Sequence, residues 1–194
     1  SARSARWNAI CSAPASQPPS SSSLRARTIA SSTTAATLVG DVNGRAPLTH
    51  MGKYQSWVGV QSILGNEPGN RAEPIGSPRV TFTNPQVAAV GKTLEQATGE
   101  GIDAVAIDAS ADSSAGASFV GKGVEGTCRL VVDRSDGVIV GATFAGFEVA
   151  EWLHAATIAI VGRTSMSELR HAVAAFPTRS EIWLRFSEKW EAQQ

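Results

Sequence analysis

The sequence predicts an α+β fold for residues 78–194, on three observations. Two β-branched runs, Cys128 to Asp133 and Val138 to Phe144, flank the tight turn Arg134-Ser135-Asp136-Gly137. Asp-Gly between two such runs is a strong hairpin signal. Shorter strand-like segments precede this pair, and a long apolar stretch with helical spacing, Phe147 to Val161, follows it and stops at Gly162.

Taken in order, the first 37 residues stand apart. They are rich in Ser and Ala, contain Pro14, Pro18 and Pro19, and carry Arg3, Arg6, Arg25 and Arg27 with no acidic residue. Without apolar periodicity such a segment cannot bury enough surface to offset chain entropy, so disordered or non-native sequence is expected there. An organelle transit peptide shares this composition but calls for an amphipathic Arg face that is missing; a secretory signal is disfavoured because there is no apolar h-region.

Order is expected to begin with a short strand at Thr37 to Asp41. A helix over Leu48 to Leu64 follows, with Met51, Tyr54, Val58 and Gln61 to Leu64 on or near one face. Residues 66–77, with Pro68, Gly69 and Pro74, are predicted to form a linker.

Beyond it, Arg79 to Thr83 alternates as a strand, Asn84-Pro85 turns the chain, and Val87 to Val90 forms a second strand closed by Gly91. Thr93 is placed to cap a helix over Leu94 to Ala97, ended by Gly99 or Gly101. Val105 to Ile107 gives a third strand, and the Ser/Ala/Gly tract Ala109 to Ser118 is expected as a loop. After the hairpin and the long helix, Ser165 or Ser167 caps a helix running to about Ala174, with Glu168 in its first turn. Pro177 interrupts, and Thr178 to Trp190 forms the last helix.

Composition narrows the function classes. The 17 basic and 17 acidic side chains leave a formal net charge of zero, so no basic field draws the chain to nucleic acid or an anionic membrane. No apolar run approaches the ~18 residues that a membrane-spanning helix needs. Cys11 and Cys128 are far apart, outside any CxxC motif. A disulfide between them stays open, but two unpaired thiols in a reducing compartment, the cytoplasm, are the simpler expectation. His50, His154 and His171 are scattered, and no His/Cys/Asp cluster has metal-ligand spacing, so no metal is expected.

At this point the motifs resemble a known family. Arg79-Val80-Thr81-Phe82-Thr83-Asn84-Pro85-Gln86-Val87-Ala88-Ala89-Val90-Gly91, Leu130 to Gly146, and the closing Phe176-Pro177-Thr178-Arg179-Ser180-Glu181 occur in the order seen in the dimerisation domain of the flavin-dependent pyridine nucleotide-disulfide oxidoreductases, such as dihydrolipoamide dehydrogenase and mercuric reductase. Upstream, Val39-Gly40-Asp41-Val42 followed by Leu48-Thr49-His50 resembles the end of that family's FAD-binding domain. The resemblance implies an antiparallel sheet with helices on one side, preceded by the last strand and helix of an FAD-binding domain (residues 38–65). It also implies a homodimer, with FAD as cofactor and NAD(P)H as co-substrate.

The same resemblance implies roles for single residues. Asp41 would set its carboxylate against the ribityl or pyrophosphate part of FAD. Leu48, Thr49 and His50 would lie beside the flavin, Thr49 offering a backbone amide at a helix start, where free N–H groups and the dipole favour electron-rich oxygen. The family's disulfide chemistry uses a His-Pro-Thr-x-Ser-Glu motif, in which His is the acid/base for the partner subunit's dithiol and Glu orients it. Here Glu181 keeps the Glu position, but the His position is Phe176, which cannot carry a proton. Glu181 remains the sole catalytic candidate, against the plainer role of complementing its own helix dipole. His171 lies five residues before Phe176 and does not fill the motif.

Other parts of the family's chemistry are missing from the sequence. No GxGxxG follows a strand and no Cys-x4-Cys pair occurs. Gly121-Lys122-Gly123-Val124-Glu125-Gly126 satisfies GxGxxG in letters, but it leads into the strand at Cys128 and is expected to be a turn. Two functions follow as expectations. The first is the C-terminal part of an FAD-dependent oxidoreductase, not catalytically complete by itself. The alternative is a stand-alone, non-catalytic dimerisation module. Trp152, Phe176, Trp183, Phe186 and Trp190 fit a subunit interface, though Trp152 fits the domain core equally well and Trp183 to Trp190 combine interface with C-terminal packing.

Overall fold

The computed structural model describes residues 38–121 and 123–194; the segment before Leu38, including Cys11 and Thr37, lies outside the described residues. Strands β1 (Arg79–Thr81), β2 (Gln86–Gly91), β3 (Ala104–Ser110), β4 (Thr127–Asp133) and β5 (Ile139–Gly146) form one sheet in the order β1-β2-β5-β4-β3, every neighbour antiparallel. The helices are α1 (Thr49–Ile63), α2 (Ala72–Ile75), α3 (Leu94–Gly99), α4 (Ala115–Val120), α5 (Ala150–Val161), α6 (Met166–Leu169) and α7 (Ile182–Glu191).

Strand register explains the core. Ala88, Phe144, Cys128 and Ala109 stand opposite one another across four strands, as do Val90, Ala142, Leu130 and Ile107 two residues along. Because side chains alternate with period two, both rows share one face. That face is covered by Trp152, Leu153, Ala156 and Ile160 of α5, Met166 and Leu169 of α6, and Ile182, Trp183 and Phe186 of α7. Phe144 is the keystone. Its ring meets Trp152 edge-on at 6.0 Å and Trp183 at 6.1 Å. Such pairs add about 0.5–1.5 kcal/mol each beyond area burial.

The β4–β5 hairpin forms where Asp-Gly requires it, with Gly137 at φ +69. Two helix starts are closed by reciprocal capping boxes, Thr93 with Gln96 and Ser165 with Glu168. The stretch ending at Gly126 opens no helix and runs directly into β4, as its place before a strand required.

Several expectations are corrected. Leu38 to Asp41 does not form a strand; Gly40–Asn43 is a 3-10 turn. Gly40 sits at φ +75, and its N–H donates to Gln55 Oε1 at 2.7 Å, so the backbone is drawn onto α1 instead of a ladder. The predicted face of α1 is right at buried Met51 and half-buried Tyr54 and Val58, and wrong at its end. Met51, Gln55 and Gly59 are buried, while Trp57, Val60, Ile63 and Leu64 face outward, because the 3-10 turn packs on the former side. Within residues 66–77 there is a short helix, α2, tied back by Arg71 donating to Val161 O.

The tract Ala109 to Ser118 is not a loop. β3 continues to Ser110 and α4 begins at Ala115, docked on Thr178 and Arg179. The helix expected to reach Ala174 ends as α6 at Leu169, and the segment from Val173 to Pro177 is irregular, as Pro177 disfavours helix at the residue before it. The last helix begins later than expected, after the 3-10 turn Arg179–Glu181. Finally, Trp152, Trp183 and Phe186 fill the core and Trp190 packs against it; among the five aromatics assigned to an interface, Phe176 alone is exposed.

Candidate functional site

The sequence points to two places, the start of α1 and the loop before α7. At the first, α1 begins after Leu48, whose extended backbone is the N-cap and which has no side-chain cap bond. An apolar N-cap leaves the first-turn N–H groups of the helix without the usual side-chain acceptor. Thr49 and His50 are both exposed there. His50 is tied on its imidazole side, with Nε2–H donating to Pro78 O at 2.7 Å, which fastens the first turn of α1 to the chain entering β1.

Asp41 is exposed in the adjacent 3-10 turn. Two glycines bring that turn against the helix: a Cβ on Gly52 would lie 3.4 Å from Gly40 Cα, in van der Waals contact. Gln55 locks the arrangement. Its Oε1 accepts from Gly40 N and from Asn43 Nδ2 (2.8 Å), and its Nε2 donates to Glu73 Oε1 at 2.7 Å. A buried amide that makes three hydrogen bonds is a strong positional constraint, since leaving one unmade costs about 1–3 kcal/mol. The result is an exposed carboxylate in a turn held against α1 by Gly52 and Gln55. Gln55 is absent from the sequence-derived site; its signal was a polar residue among the apolar positions of α1.

The second place is built differently. The Phe176-Pro177 peptide is cis, and Phe176 projects into solvent, 78% exposed. Arg179 anchors the loop. Its guanidinium lies over Trp152 at 4.6 Å and over Phe147 at 5.6 Å, donates to Phe147 O, and stands 3.9 Å from Glu148. Burial lowers its pKa, with Glu148 opposing that shift. Nothing in the sequence distinguished Arg179, since a lone Arg between Thr and Ser carries no periodic or motif signal.

Glu181 is buried and does not cap its own helix. Its Oε2 instead accepts a long bond, 3.4 Å, from Gly116 N–H of α4. Gly116 has no space for a side chain: a Cβ would sit 2.1 Å from Thr178 C. Thus α4, the loop and the head of α5 lock together around Arg179 and Glu181. His171 is exposed and outside this unit. Deeper in, burial pushes the Cys128 thiol up to about 12, so it stays protonated and inert at neutral pH. Among the described residues no group of His, Cys, Asp and Glu is arranged to hold a metal ion, and no helix is long and apolar enough to cross a membrane.

The sequence matches the pyridine nucleotide-disulphide oxidoreductase dimerisation domain over residues 77–185. The chain belongs to that family. Among similar proteins, dihydrolipoyl dehydrogenase of Mycobacterium tuberculosis (strain ATCC 25618 / H37Rv) is 36% identical over 143 residues, covering 74% of this chain and 31% of its own. The Bacillus subtilis (strain 168) dihydrolipoyl dehydrogenase is 29% identical over 150 residues, 77% of this chain and 31% of the relative. The chain therefore spans about a third of the length of the curated relatives it matches. Among solved structures, LpdA from Mycobacterium tuberculosis superposes with a TM-score of 0.68 at 22% identity, over 80% of this chain and 33% of that one. The HOCl-induced flavoprotein disulfide reductase RclA from Escherichia coli gives 0.67 at 22% identity, over 77% and 34%. At such identities these two speak for the fold alone. The five-stranded antiparallel sheet with its helices is the fold of this family's dimerisation domain.

Proposed function

We propose that the chain is the C-terminal, dimer-forming part of an FAD-dependent NAD(P)H oxidoreductase, working as a cytoplasmic homodimer and not catalytically complete by itself. The observation that carries this is the coexistence, in one chain, of the dimerisation domain with the Asp41 turn and the uncapped start of α1. On this proposal residues 38–65 end an FAD-binding domain, and residues 66–77 link it to the dimerisation domain of residues 78–194. Asp41 would hold ribityl or pyrophosphate groups, and Leu48, Thr49 and His50 would form the wall beside the flavin. The Gly40–Gly52 approach and the Gln55 bonds support that assignment, because they fix the turn that carries Asp41 against α1.

When bound, FAD supplies the hydride acceptance from NAD(P)H and the onward passage of electrons. The residues of this chain would bind and orient it. The Phe176 loop sets a limit on the acceptor. With no imidazole there and Glu181 committed to Gly116 N–H, the loop offers no proton to a leaving thiolate, so the acceptor is one that draws its protons elsewhere. Glu181 accordingly positions α4 in place of orienting a base. The second candidate, a non-catalytic dimerisation module, draws on the same Phe176.

The test uses the natural gene product that contains this chain. Its intact mass and visible absorbance establish whether flavin copurifies, and Asp41→Ala is expected to weaken flavin retention at least tenfold, about 1.4 kcal/mol. A product without flavin, whose Asp41→Ala variant behaves like the parent, overturns the oxidoreductase assignment in favour of the module.

A further inference from the structure

Between the end of α1 and the chain leading to α2 lies a pocket of about 340 Å³. Val58 and Ser62 of α1 line one side, and Glu67, Pro68 and Asn70 of the following chain line the other. Both ends of that chain are pinned to the helix. Asn66 N–H donates to Gln61 O at 2.9 Å, and Asn66 Nδ2 to Gln61 Oε1 at 2.8 Å. At the far end, Arg71 N–H donates to the Tyr54 hydroxyl oxygen at 3.0 Å. The pocket is thus shaped before any ligand enters, at the small end of the ~300–1,000 Å³ usual for small-molecule sites.

We propose that this pocket binds a small primary alkylammonium compound. Its lining is rich in acceptors. Glu67 brings a carboxylate that makes no ion pair or hydrogen bond to any described residue. Ser62 Oγ already donates its hydrogen to Val58 O at 3.0 Å, so only its lone pairs are left. Asn70 Oδ1 accepts one long bond, 3.3 Å, from Glu73 N–H and keeps a second lone pair. An ammonium group has three hydrogens to give, one for each of these acceptors. The wider field has the same sign. The pocket lies at the C-terminus of α1, where the helix dipole favours a cation, and the last turn holds no basic side chain to answer it. No lining residue is basic, and Arg71, next along the chain, donates its guanidinium to Val161 O at 2.9 Å instead. A single carboxylate serves a divalent cation poorly, since such an ion gathers several oxygen ligands. Val58, Pro68, Gly65 and Gly69 leave an apolar wall for an alkyl chain. At the ~30 Å³ that a water molecule occupies in the liquid, the volume takes about ten heavy atoms.

The site lies outside residues 77–185 and stands independently of the flavin reading. Isotope-labelled full chain is titrated with hexylammonium, and separately with hexanoate and hexan-1-ol, while backbone amide shifts are followed by NMR. Hexylammonium is expected to give saturable shifts within residues 58–70 with a Kd on the order of 1 mM, the anion and the alcohol binding at least ~10-fold more weakly. Glu67 is exposed and unpaired among the described residues, so Glu67→Gln keeps the fold and should raise the Kd at least ~10-fold. Ser62→Leu fills the pocket and should abolish the shifts, while the amides of β4 and β5 in the ligand-free spectra stay in place for both variants. Hexanoate or hexan-1-ol binding as tightly as hexylammonium overturns the proposal. So does a Kd that Glu67→Gln leaves unchanged, or a wild type without saturable shifts.

Discussion

Replacing Gly116 by alanine drives a methyl group into the backbone of the C-terminal loop. The new Cβ would lie 2.1 Å from Thr178 C, 2.4 Å from Arg179 N and 2.6 Å from Thr178 Cα. All three are backbone atoms, so no side chain can rotate away, and α4 must withdraw by more than an ångström. That withdrawal lengthens the 3.4 Å bond from Gly116 N–H to the buried Glu181 beyond usefulness. Overpacking costs about 1–3 kcal/mol, and a lost bond to a charged acceptor about 1.5–3 kcal/mol. Taking the low end of the second for a long bond, the expected loss is about 3 kcal/mol, which at a urea slope of ~1.5 kcal/mol/M lowers the midpoint by about 2 M. The control is Gly99→Ala, where no heavy atom lies within 4 Å of the added methyl; that variant should match or slightly exceed the wild type. Urea unfolding by tryptophan fluorescence reads the global effect, and limited proteolysis of residues 110–121 reads a local release of α4. If Gly116→Ala leaves both unchanged, the docking of α4 on the loop is wrong.

Three further outcomes follow from the same structure. Glu181→Gln keeps an oxygen acceptor for Gly116 N–H and should cost about 1 kcal/mol, against about 2–3 kcal/mol for Glu181→Ala; an alanine variant as stable as the glutamine one would remove the clamp. Burial raises the Cys128 thiol in the folded chain from 9.0 to about 12. Its contribution to stability is therefore complete below pH 9 and is lost as pH climbs toward 12, because the unfolded chain alone gains from ionising. Between pH 8 and 10.5 the wild type should lose about 2 kcal/mol more than Cys128→Ala in denaturant unfolding, and parallel losses would refute the shift. Thr93→Ala breaks the capping box of α3 and should cost about 1 kcal/mol, measured by the thermal midpoint; no change would mean that α3 does not need its cap.

What the sequence disclosed and what it withheld divide along physical lines. The hairpin was legible because Asp136-Gly137 encodes its turn locally, and Thr93 as a cap because capping is a local signal; its Gln96 partner, and the choice of Ser165 over Ser167, came from the structure. Strand β2 was legible from its apolar run, closed by a glycine at φ +74. α4 was hidden, because Ala115-Gly116-Ala117-Ser118 has the composition of a loop and becomes helical against a segment some sixty residues later. The 3-10 turn at Gly40 was hidden for a similar reason: Val39 favours strand, but Gln55 of α1 takes its neighbour's N–H. Within the candidate site, Asp41 and Thr49 were marked by motif. Gln55, Gly116 and Arg179 were not, because what they do is hold backbone that lies far away in sequence. Trp183 and Phe186 were divided between interface and C-terminal packing because composition counts aromatics without showing which side of α7 they occupy.

The bond between Gly116 and Glu181 spans 65 positions of the chain, and this bears on synthesis. While the protein is being made, β3 and the residues of α4 leave the ribosome long before the loop that gives them shape. Until Thr178 to Glu181 emerge, the stretch near residues 110–121 has nothing to rest on. It is then the natural target for a protease or a chaperone. Emergence of Thr178 to Glu181 gives it the surface against which Gly116 packs.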